Sequence, residues 1–395
     1  MSLEFTLLFI LLLFTASAID GGFAFTVLYL FFGAALFGWL WNRQSGRRLE
    51  YVRKYDPRAF WGEDIPVQIE VTNTGLLPIP WLHLHESVPV ELTPANPVEY
   101  VVSLGPRSKT EIDYTLHGRK RGYYRVGPLF STYGDVIGLA RPQEHRGEAA
   151  HITVFPKIIP FTSLHLPSRS PQGTLRHHQP IFEDPSRILN KRDYVAGDSL
   201  RRVDWKATAA TGRMQVKQFE PSIALETAIF LNLNEREYAS QYRIDASELA
   251  IIIAASMANW VVMQKQSVGL VTNGIDPHTQ ERLVPPIPTR KGRAHLLRVL
   301  ETLARLQCSD RTPVAEMLRR ESPNLPWGTT VIVITGHVDE ALFDELFQSQ
   351  RRGQNIVLIL AGRAMNIQKA LHQAEKFGIP MYAFQNEQAL DIWRR

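Results

Sequence analysis

Two long apolar runs at the start of the chain constrain its fold most strongly. Phe5 to Ile19 is almost wholly apolar, Asp20-Gly21-Gly22 interrupts it, and Phe23 to Trp41 is apolar again. The second run has 19 residues without a charge, which is enough to span a bilayer as a helix. The first has 15 residues and is marginal unless its flanks contribute or the bilayer thins. We therefore predict that residues 1–41 form a transmembrane helical hairpin with these two runs as its spans.

Two other interpretations of this segment stay open. Ala16-Ser17-Ala18 has the form of a signal-peptidase site, although the start of the chain carries Glu4 and lacks the positive region of a signal peptide. The two runs could instead form a buried hairpin in a soluble protein. The run that ends at Trp41 argues against this, because it has no polar face to present to water.

The charges after the second run predict the orientation. Residues 42–54 hold five basic residues and one glutamate, and the positive-inside rule places such a segment in the cytoplasm. We therefore predict a multi-pass protein of the inner (plasma) membrane, with residues 42–395 in the cytoplasm. Cys308 is the single cysteine, which excludes an internal disulfide and fits a reducing compartment.

Residues 42–165 are predicted to form an antiparallel β-sandwich of immunoglobulin-like type. Short stretches that alternate apolar and polar residues, such as Ile65–Gly75, are separated by turns rich in Gly, Pro, Asn and Asp. Residues 166–187 are rich in Ser, Pro and Gly and are predicted as a linker. This linker opens a connecting segment, residues 166–225.

Residues 226–395 are predicted to form a doubly wound α/β domain. Solid apolar strands such as Thr227–Leu231 alternate with helical patterns, which indicates a parallel sheet covered on both faces. The first long helix is expected to begin with a capping box formed by Asp245 and Glu248. Functional loops are expected at the carboxyl ends of the strands.

The letters GDSL at Gly197–Leu200 also mark the nucleophilic serine of one group of hydrolases. Here they follow a polar stretch rather than an apolar strand, and the chain has no G-x-S-x-G. None of its aspartates is followed three residues later by a histidine, as those hydrolases require. We therefore interpret the four letters as coincidental and predict no catalytic residue.

Other chemistry-bearing motifs are weak. The chain has no G-x-x-x-x-G-K-[ST] loop and no G-x-G-x-x-G after a strand, so we predict no nucleotide cofactor. His83 and His85 share one face of a predicted strand but make only half a metal site, and His177-His178 lies in the linker. No resident metal is predicted.

A basic aromatic run covers Gly118–Gly127. It alternates like an edge strand, where cationic side chains oppose aggregation. Contact with an anionic membrane surface is the second interpretation. Binding to nucleic acid is the least favoured, and no nucleic-acid partner is predicted.

A dense charged run extends from Arg192 to Lys206. It holds Arg192, Asp193, Asp198, Arg201, Arg202, Asp204, Trp205 and Lys206. We predict an ion-paired structural or recognition loop, in which Arg–Asp pairs fix a turn at Ala196-Gly197-Asp198. The alternative is an active site with Asp198 and Asp204 as a carboxylate pair or as metal ligands, although the excess of cations disfavours a metal ion.

This segment resembles the signature of the bacterial domain of unknown function 58 family. The matching positions are Arg192, Tyr194, Gly197, Asp198, Arg201, Asp204, Trp205, Lys206, Gly212, Val216, Lys217, Phe219 and Glu220. Many relatives carry an arginine where this chain has Ala210. The resemblance implies two N-terminal spans, a β domain and a C-terminal von Willebrand factor A-like domain.

Metal-competent domains of that last type carry Asp-x-Ser-x-Ser after the first strand and an aspartate after the fourth. In this chain the first three positions are Asn232, Asn234 and Arg236, and Gly336-His337 follows the later strand. With amides and a guanidinium in place of carboxylates, we predict a degenerate site that does not hold Mg²⁺ tightly.

Relatives in this family often occur beside genes for MoxR-type AAA+ ATPases and membrane proteins. The resemblance therefore implies a membrane-anchored adaptor or scaffold, facing the cytoplasm, that works with such an ATPase and other membrane proteins in assembling or activating a protein complex. An envelope-associated enzyme that uses the Asp198/Asp204 region is the alternative. A purely structural membrane protein is a third reading.

Overall fold

The computed structural model describes most of the chain outside its N-terminus and several connecting segments. The described residues are 10, 14, 22–46, 48–92, 94, 97–134, 142–161, 183–195, 203–221, 226–279, 284–363 and 367–393. They divide into two compact units, one of residues 1–157 with 300–305 and one of residues 158–299 with 306–395. The first predicted span, residues 5–19, lies outside the described residues except for Ile10 and Phe14.

The first unit consists of one helix followed by short strands. These are α1 (Gly22–Gly46), β1 (Leu49–Tyr55), β2 (Arg58–Ala59), β3 (Asp64–Asn73), β4 (Ile79–Glu86), β5 (Glu99–Leu104), β6 (Lys109–His117), β7 (Gly122–Val126), β8 (Leu129–Gly134), β9 (Gln143–Arg146) and β10 (Ala150–Val154). Their sheet orders are β1-β3-β6, β5-β4-β8-β9 and β2-β10-β7. The predicted β structure is confirmed as three sheets among the described residues. Their strands pair antiparallel except for β2 and β10, which run parallel, so the prediction of a wholly antiparallel arrangement is wrong at that pair.

Alternating burial explains these strands. Along β3 every second side chain is buried, from Ile65 to Asn73, as expected for a strand with one face on a core. Ile65, Leu82, Leu116 and Val126, contributed by strands of all three sheets, lie in one buried apolar cluster. The three sheets of this unit therefore share a core.

The second unit begins with a small hairpin and continues as a mixed α/β sheet. The hairpin consists of β11 (Glu183–Asp193), α2 (Trp205–Thr211) and β12 (Gln215–Pro221). The sheet strands are β13 (Glu226–Leu231), β14 (Ser267–Thr272), β15 (Ile287–Arg290), β16 (Thr330–Thr335), β17 (Asn355–Ala361) and β18 (Met381–Phe384). The helices are α3 (Arg243–Met263), α4 (Arg293–Arg305), α5 (Val314–Glu321), α6 (Glu340–Arg351) and α7 (Ile367–Phe377).

The sheet order is β15-β14-β13-β16-β17-β18, and only β15 runs antiparallel to its neighbour. Ala228 and Phe230 on one face of β13 pack in a cluster with side chains of α5, α6 and α7. Ile229 and Leu231 on its other face are also buried, and α3 contacts the central strands. Helices therefore cover both faces, which confirms the predicted α/β arrangement.

Two described helices are long and apolar enough to cross a membrane by length and composition. In α1 the segment Phe25–Ser45 meets these criteria and only 12% of its most apolar window is buried. In α3, 72% of the most apolar window is buried, as expected for a core helix that packs against a sheet. Of the two, α1 is the candidate span.

Two sequence-based boundaries differ from the structure. The predicted linker extends to Arg187, whereas β11 already begins at Glu183 and pairs with β12. The predicted capping box at Asp245 is wrong, because the amide of Ala246 already bonds to the carbonyl of Tyr242 at 2.9 Å. Asp245 therefore lies inside the first turn of α3, where its charge still suits the positive helix end.

Candidate functional site

The charged run forms a compact unit, the signature hairpin, defined as β11, α2 and β12. The two strands are antiparallel, with Lys191 opposite Lys217. Val203 and Val216 are buried and form a bridge between the segment before α2 and β12. This contact holds a seven-residue helix that is too short to be stable by itself.

Asp204 fixes the start of α2. Its Oδ1 atom accepts hydrogen bonds from the amides of Lys206 and Ala207, each at 3.1 Å. Its Oδ2 atom lies 2.8 Å from the ammonium nitrogen of Lys191 on β11. The hydrogen bond from Lys191, with a smaller contribution from the amide of Ala207, lowers the pKa of Asp204 below its usual value of 3.8. This carboxylate is thus both a helix cap and an ion-pair partner.

The structure places the other predicted signature residues as follows. Arg192 is the penultimate residue of β11, Tyr194 follows that strand, and Trp205 and Lys206 open α2. Gly197, Asp198 and Arg201 lie outside the described residues. The structure therefore does not test the proposed pairing of Asp198 with Asp204. Arg–Asp pairing was predicted here, but the described partner of Asp204 is a lysine that precedes the charged run.

Trp205 is the most exposed large side chain of α2, with 67% of its surface accessible. Val195 and Met214, which flank the hairpin's connection, are also exposed. Lys191 and Lys206 add positive charge to this element. An exposed tryptophan on a fixed backbone, with basic neighbours, suits contact with another protein.

We expect Asp204→Ala to loosen α2, and Asp204→Asn to do so less. Asparagine keeps the cap but loses the ion pair with Lys191, whereas alanine loses both. Because the folded pKa of Asp204 is depressed, its contribution is present at neutral pH and is lost as the pH falls through the folded pKa. Hydrogen exchange of the α2 amides should therefore be steady from neutral pH down to about 5 after correction for the intrinsic rate. An equal effect of both variants would contradict the capping role.

A second polar cluster, the edge network, lies at the carboxyl ends of the central strands. Asn232 directly follows β13 and is fully buried. Its Nδ2 atom donates to Thr335 Oγ1 at 2.8 Å, and its Oδ1 atom accepts from the amide of Asn234 at 2.9 Å and from Asn273 Nδ2 at 2.8 Å. Asn232 also lies close enough to Glu237 to act against the rise in the pKa of that carboxyl. Both acceptor positions and one donor position of the Asn232 amide are therefore in use.

Sequence analysis missed three members of this network: Asn273, Thr335 and Glu237. Asn273 and Thr335 stand at the carboxyl ends of β14 and β16, on either side of β13, where the strand order reverses. The rule that doubly wound sheets place functional groups at this point could have identified both. No sequence pattern marks Glu237 as a member of this network, because it approaches the sheet only through the helical turn at residues 235–237.

Positively and negatively charged side chains both lie at the rim of the edge network. Arg236 Nη2 lies 3.1 Å from Asp310 Oδ2, and both side chains are largely exposed. Glu237 accepts from the amide of Val314 at the start of α5. Partial burial raises the pKa of Glu237, although the Val314 amide and Asn232 act in the opposite direction. Among the described residues, no group of three or more His, Cys, Asp and Glu side chains is placed to hold a metal ion.

The remaining sequence candidates have ordinary contacts. His83 and His85 share the exposed face of β4; the first lies 2.7 Å from Glu99 and the second stacks on Phe130. His177 and His178 lie outside the described residues. Within Gly118–Gly127, β7 forms the edge of its sheet, as predicted.

A known protein family matches the part of the chain that contains most of the signature hairpin and the edge network. Residues 190–367 match the family described as "Protein of unknown function DUF58". The matched stretch holds most of the signature hairpin and the whole edge network. Over 359 residues the chain is 25% identical to the uncharacterized protein YeaD of Bacillus subtilis (strain 168), covering 88% of this chain and 85% of that protein.

Similarities to solved structures are weak. The CARDB domain of PF1109 from Pyrococcus furiosus covers 27% of this chain and 91% of its own, with 17% identity and a TM-score of 0.21. Proximal thread matrix protein 1 from the mussel byssus covers 44% of this chain and 47% of its own, with 10% identity and a TM-score of 0.32. Both scores are too low to indicate a shared overall fold.

Proposed function

We propose that this chain is a membrane-anchored adaptor or scaffold that faces the cytoplasm and works with a MoxR-type AAA+ ATPase in assembling or activating a protein complex. The observation that carries the proposal is the signature hairpin, which holds Trp205 exposed on a helix whose start is fixed by Asp204. Such a surface is suited to binding a protein partner. The ATPase as partner follows from the family resemblance.

The membrane part of the proposal rests on α1 and its flanks. Phe25–Ser45 is apolar and little buried, and basic residues follow it. Together with a first span at 5–19, it would form a hairpin in the inner membrane and leave residues 42–395 in the cytoplasm. Other membrane proteins are then natural partners.

We further propose that the α/β unit is a von Willebrand factor A-like domain with a degenerate metal site. Five parallel strands with one antiparallel edge strand, and a strand order that reverses beside β13, support this assignment. Asn232 and Asn234 occupy positions where metal-competent domains carry an aspartate and a serine, and Arg236 takes the place of the second serine. Any partner that docks at this edge would do so without a bridging ion.

An envelope-associated enzyme that uses the Asp198/Asp204 region is the alternative. Against it stands the state of Asp204: one carboxylate oxygen caps α2 and the other pairs with Lys191. Three of the roughly four acceptor positions of this carboxylate are therefore in use, and its lowered pKa makes it a weaker general base. The adaptor is therefore the better supported proposal.

Affinity capture of the full chain tests the proposal. We expect the tagged, detergent-solubilised protein to enrich an AAA+ ATPase from its own cells, and Trp205→Ala to reduce that enrichment by roughly tenfold or more, as truncation of an interfacial tryptophan does. The matched control is Trp327→Ala, since Trp327 is similarly exposed at 64% and lies in the turn before β16. This control should retain the partner.

Two results would count against the proposal. If the unmodified protein enriches no ATPase, the proposed ATPase partner is wrong. The protein would then be screened for an enzymatic activity that depends on Asp198 and Asp204. Equal loss with Trp205→Ala and Trp327→Ala would show a general effect of surface tryptophans. Circular dichroism of each variant confirms that the helices and sheets are intact.

A further inference from the structure

Three connections of the first unit meet at the end of the β domain where α1 stops. They are the α1–β1 connection, the β3–β4 turn at 74–78 and the β5–β6 turn at 105–108. The register of the sheets places them together, since Leu49 pairs with Asn73, Lys109 with Thr72, and Leu104 with Ile79. We call this set the α1-proximal face.

Backbone hydrogen bonds tie the α1-proximal face into one body. The amide of Thr74 bonds to the carbonyl of Arg48 at 2.8 Å, and the amide of Arg107 bonds to the carbonyl of Gly75 at 3.0 Å. The side chain of Asn73 donates to the carbonyls of Leu77 at 2.8 Å and Gly105 at 2.9 Å. The two turns therefore keep a fixed position relative to the start of β1.

The last turns of α1 are joined to the same face. Trp41 Nε1 donates to the carbonyl of Pro78 at 3.0 Å. Two residues earlier, Trp39 is exposed, and the guanidinium carbon of Arg43 lies 5.3 Å from the centre of its ring. Tryptophans and arginines in this arrangement are typical of the level at which a transmembrane helix leaves the hydrocarbon and enters the headgroups.

The side chains displayed by the α1-proximal face are basic and apolar. Arg48 and Arg107 are exposed, and Leu76 at the tip of the β3–β4 turn is 70% exposed. Among the described residues, neither guanidinium has a carboxylate within ion-pair distance. No acidic residue occurs in 42–49, 74–78 or 105–108. Arg107 also has φ of 49°, a left-handed conformation that is uncommon for a residue other than glycine and holds this side chain at the turn.

We propose that the α1-proximal face docks on anionic lipid headgroups of the membrane that holds α1. Arg48 and Arg107 contact the headgroup phosphates, and Leu76 enters the interfacial layer. The proposal rests on the proposed membrane anchor and adds a function for the β domain, which is to be held against the bilayer rather than suspended from it. The hydrogen bond between Trp41 and Pro78 brings these turns beside the end of α1, so the headgroups of the membrane that holds α1 are the partner that lies nearest to them.

The test uses the full chain, reconstituted into vesicles, with Cys308→Ala as background. Leu76→Cys carries an environment-sensitive fluorophore, and Lys120→Cys carries the same label as a control. Residue 120 follows β6, whose far end pairs with the start of β3, so it lies at the opposite end of the domain. Vesicles contain phosphatidylcholine alone, or phosphatidylcholine with phosphatidylglycerol as the minor component.

We expect the label at position 76 to be quenched by spin-labelled lipid in the anionic vesicles only, and the label at position 120 in neither. Each arginine near an anionic surface contributes about fivefold to the docking equilibrium, so Arg48→Gln with Arg107→Gln should weaken it by about 25-fold. Lys120→Gln, the matched loss of one basic side chain, should leave the position 76 signal unchanged.

Resistance to alkaline extraction separates this inference from the proposed anchor. A protein that is extracted by alkali has no inserted helix, which overturns the anchor. A protein that resists extraction but shows the same quenching at position 76 in both vesicle types overturns the docking proposal alone. Quenching that survives the double arginine substitution would overturn it as well.

Discussion

Arg53→Met is expected to destabilise the β domain by about 3–5 kcal/mol, because it leaves the buried Glu86 carboxylate without an opposite charge beside it. The Glu86 side chain is fully buried, and the Arg53 side chain beside it is only 13% exposed. Glu86 also accepts a hydrogen bond from the hydroxyl of Tyr114. Burial, and the nearby charge of Glu86, raise the pKa of Tyr114, so it stays protonated as a donor at all ordinary pH.

The reason for the large effect is the position of this group between two sheets. Arg53 lies on β1 and Tyr114 on β6 of one sheet, whereas Glu86 ends β4 of another. Arg53 also donates to the carbonyl of Glu148 at 3.1 Å. Loss of the guanidinium therefore removes contacts to two other parts of the domain and strands the carboxylate.

Hydrogen exchange of the β3 and β6 amides in the full chain measures this local stability. Lys54→Met is the matched control: Lys54 is the next residue of β1, and its pair with Glu70 is exposed to solvent, so little change is expected. Arg53→Met combined with Glu86→Leu should recover most of the loss, because an apolar pair can replace a buried ion pair. A single substitution that costs no more than Lys54→Met would contradict the role of Arg53.

The pattern of apolar residues was sufficient to predict the strands whose sequences are strongly periodic or continuously apolar. Alternation predicted β3, and solid apolar runs predicted β13, β14 and β16, because those strands are buried on both faces. Helix α5 was missed. It has eight residues, its N-cap is Pro313 without a side-chain hydrogen bond, and its preceding loop is irregular. Its stability comes from packing of Met317 and Leu318 in the core, which sequence spacing does not reveal.

The candidate sites were predictable only in part. Asn232 and Asn234 could be placed because they follow a strand that periodicity identifies. The ion pair of Asp204 with Lys191 depends on the pairing of β11 with β12, and that pairing joins segments more than twenty residues apart. The sequence showed that the acids of this run needed cations nearby, but not which cation each would meet.

Asn232→Asp is the second substitution for which a large effect is expected, about 3–5 kcal/mol at neutral pH, since it introduces an uncompensated buried charge. The amide now donates to Thr335, and a carboxylate has no N–H to offer that group. The new charge would also face Glu237. Asn324→Asp is the matched control, because Asn324 is exposed and should tolerate the same change.

The dependence on pH follows from the sign of the pKa shift. Burial would raise the pKa of the introduced carboxyl above its unfolded value of about 3.9. The folded variant then keeps its proton over a range in which the unfolded chain has lost it, so the variant becomes less stable as the pH rises through that range. We expect a small deficit near pH 4 and the full deficit above the raised pKa, as measured by hydrogen exchange of β13 and β16.

Addition of Mg²⁺ to the same variants tests the proposed degenerate metal site. With Arg236 and Asn234 unchanged, Asn232→Asp should not regain stability in Mg²⁺, because under the proposed A-like assignment a guanidinium and an amide stand at the two hydroxyl positions. The triple variant Asn232→Asp, Asn234→Ser, Arg236→Ser should regain part of it, since an ion bound only by the folded state stabilises that state. If Asn232→Asp alone regains stability in Mg²⁺, one carboxylate at position 232 is sufficient for binding the ion. The native amide of Asn232 would then be the only substitution that prevents Mg²⁺ binding.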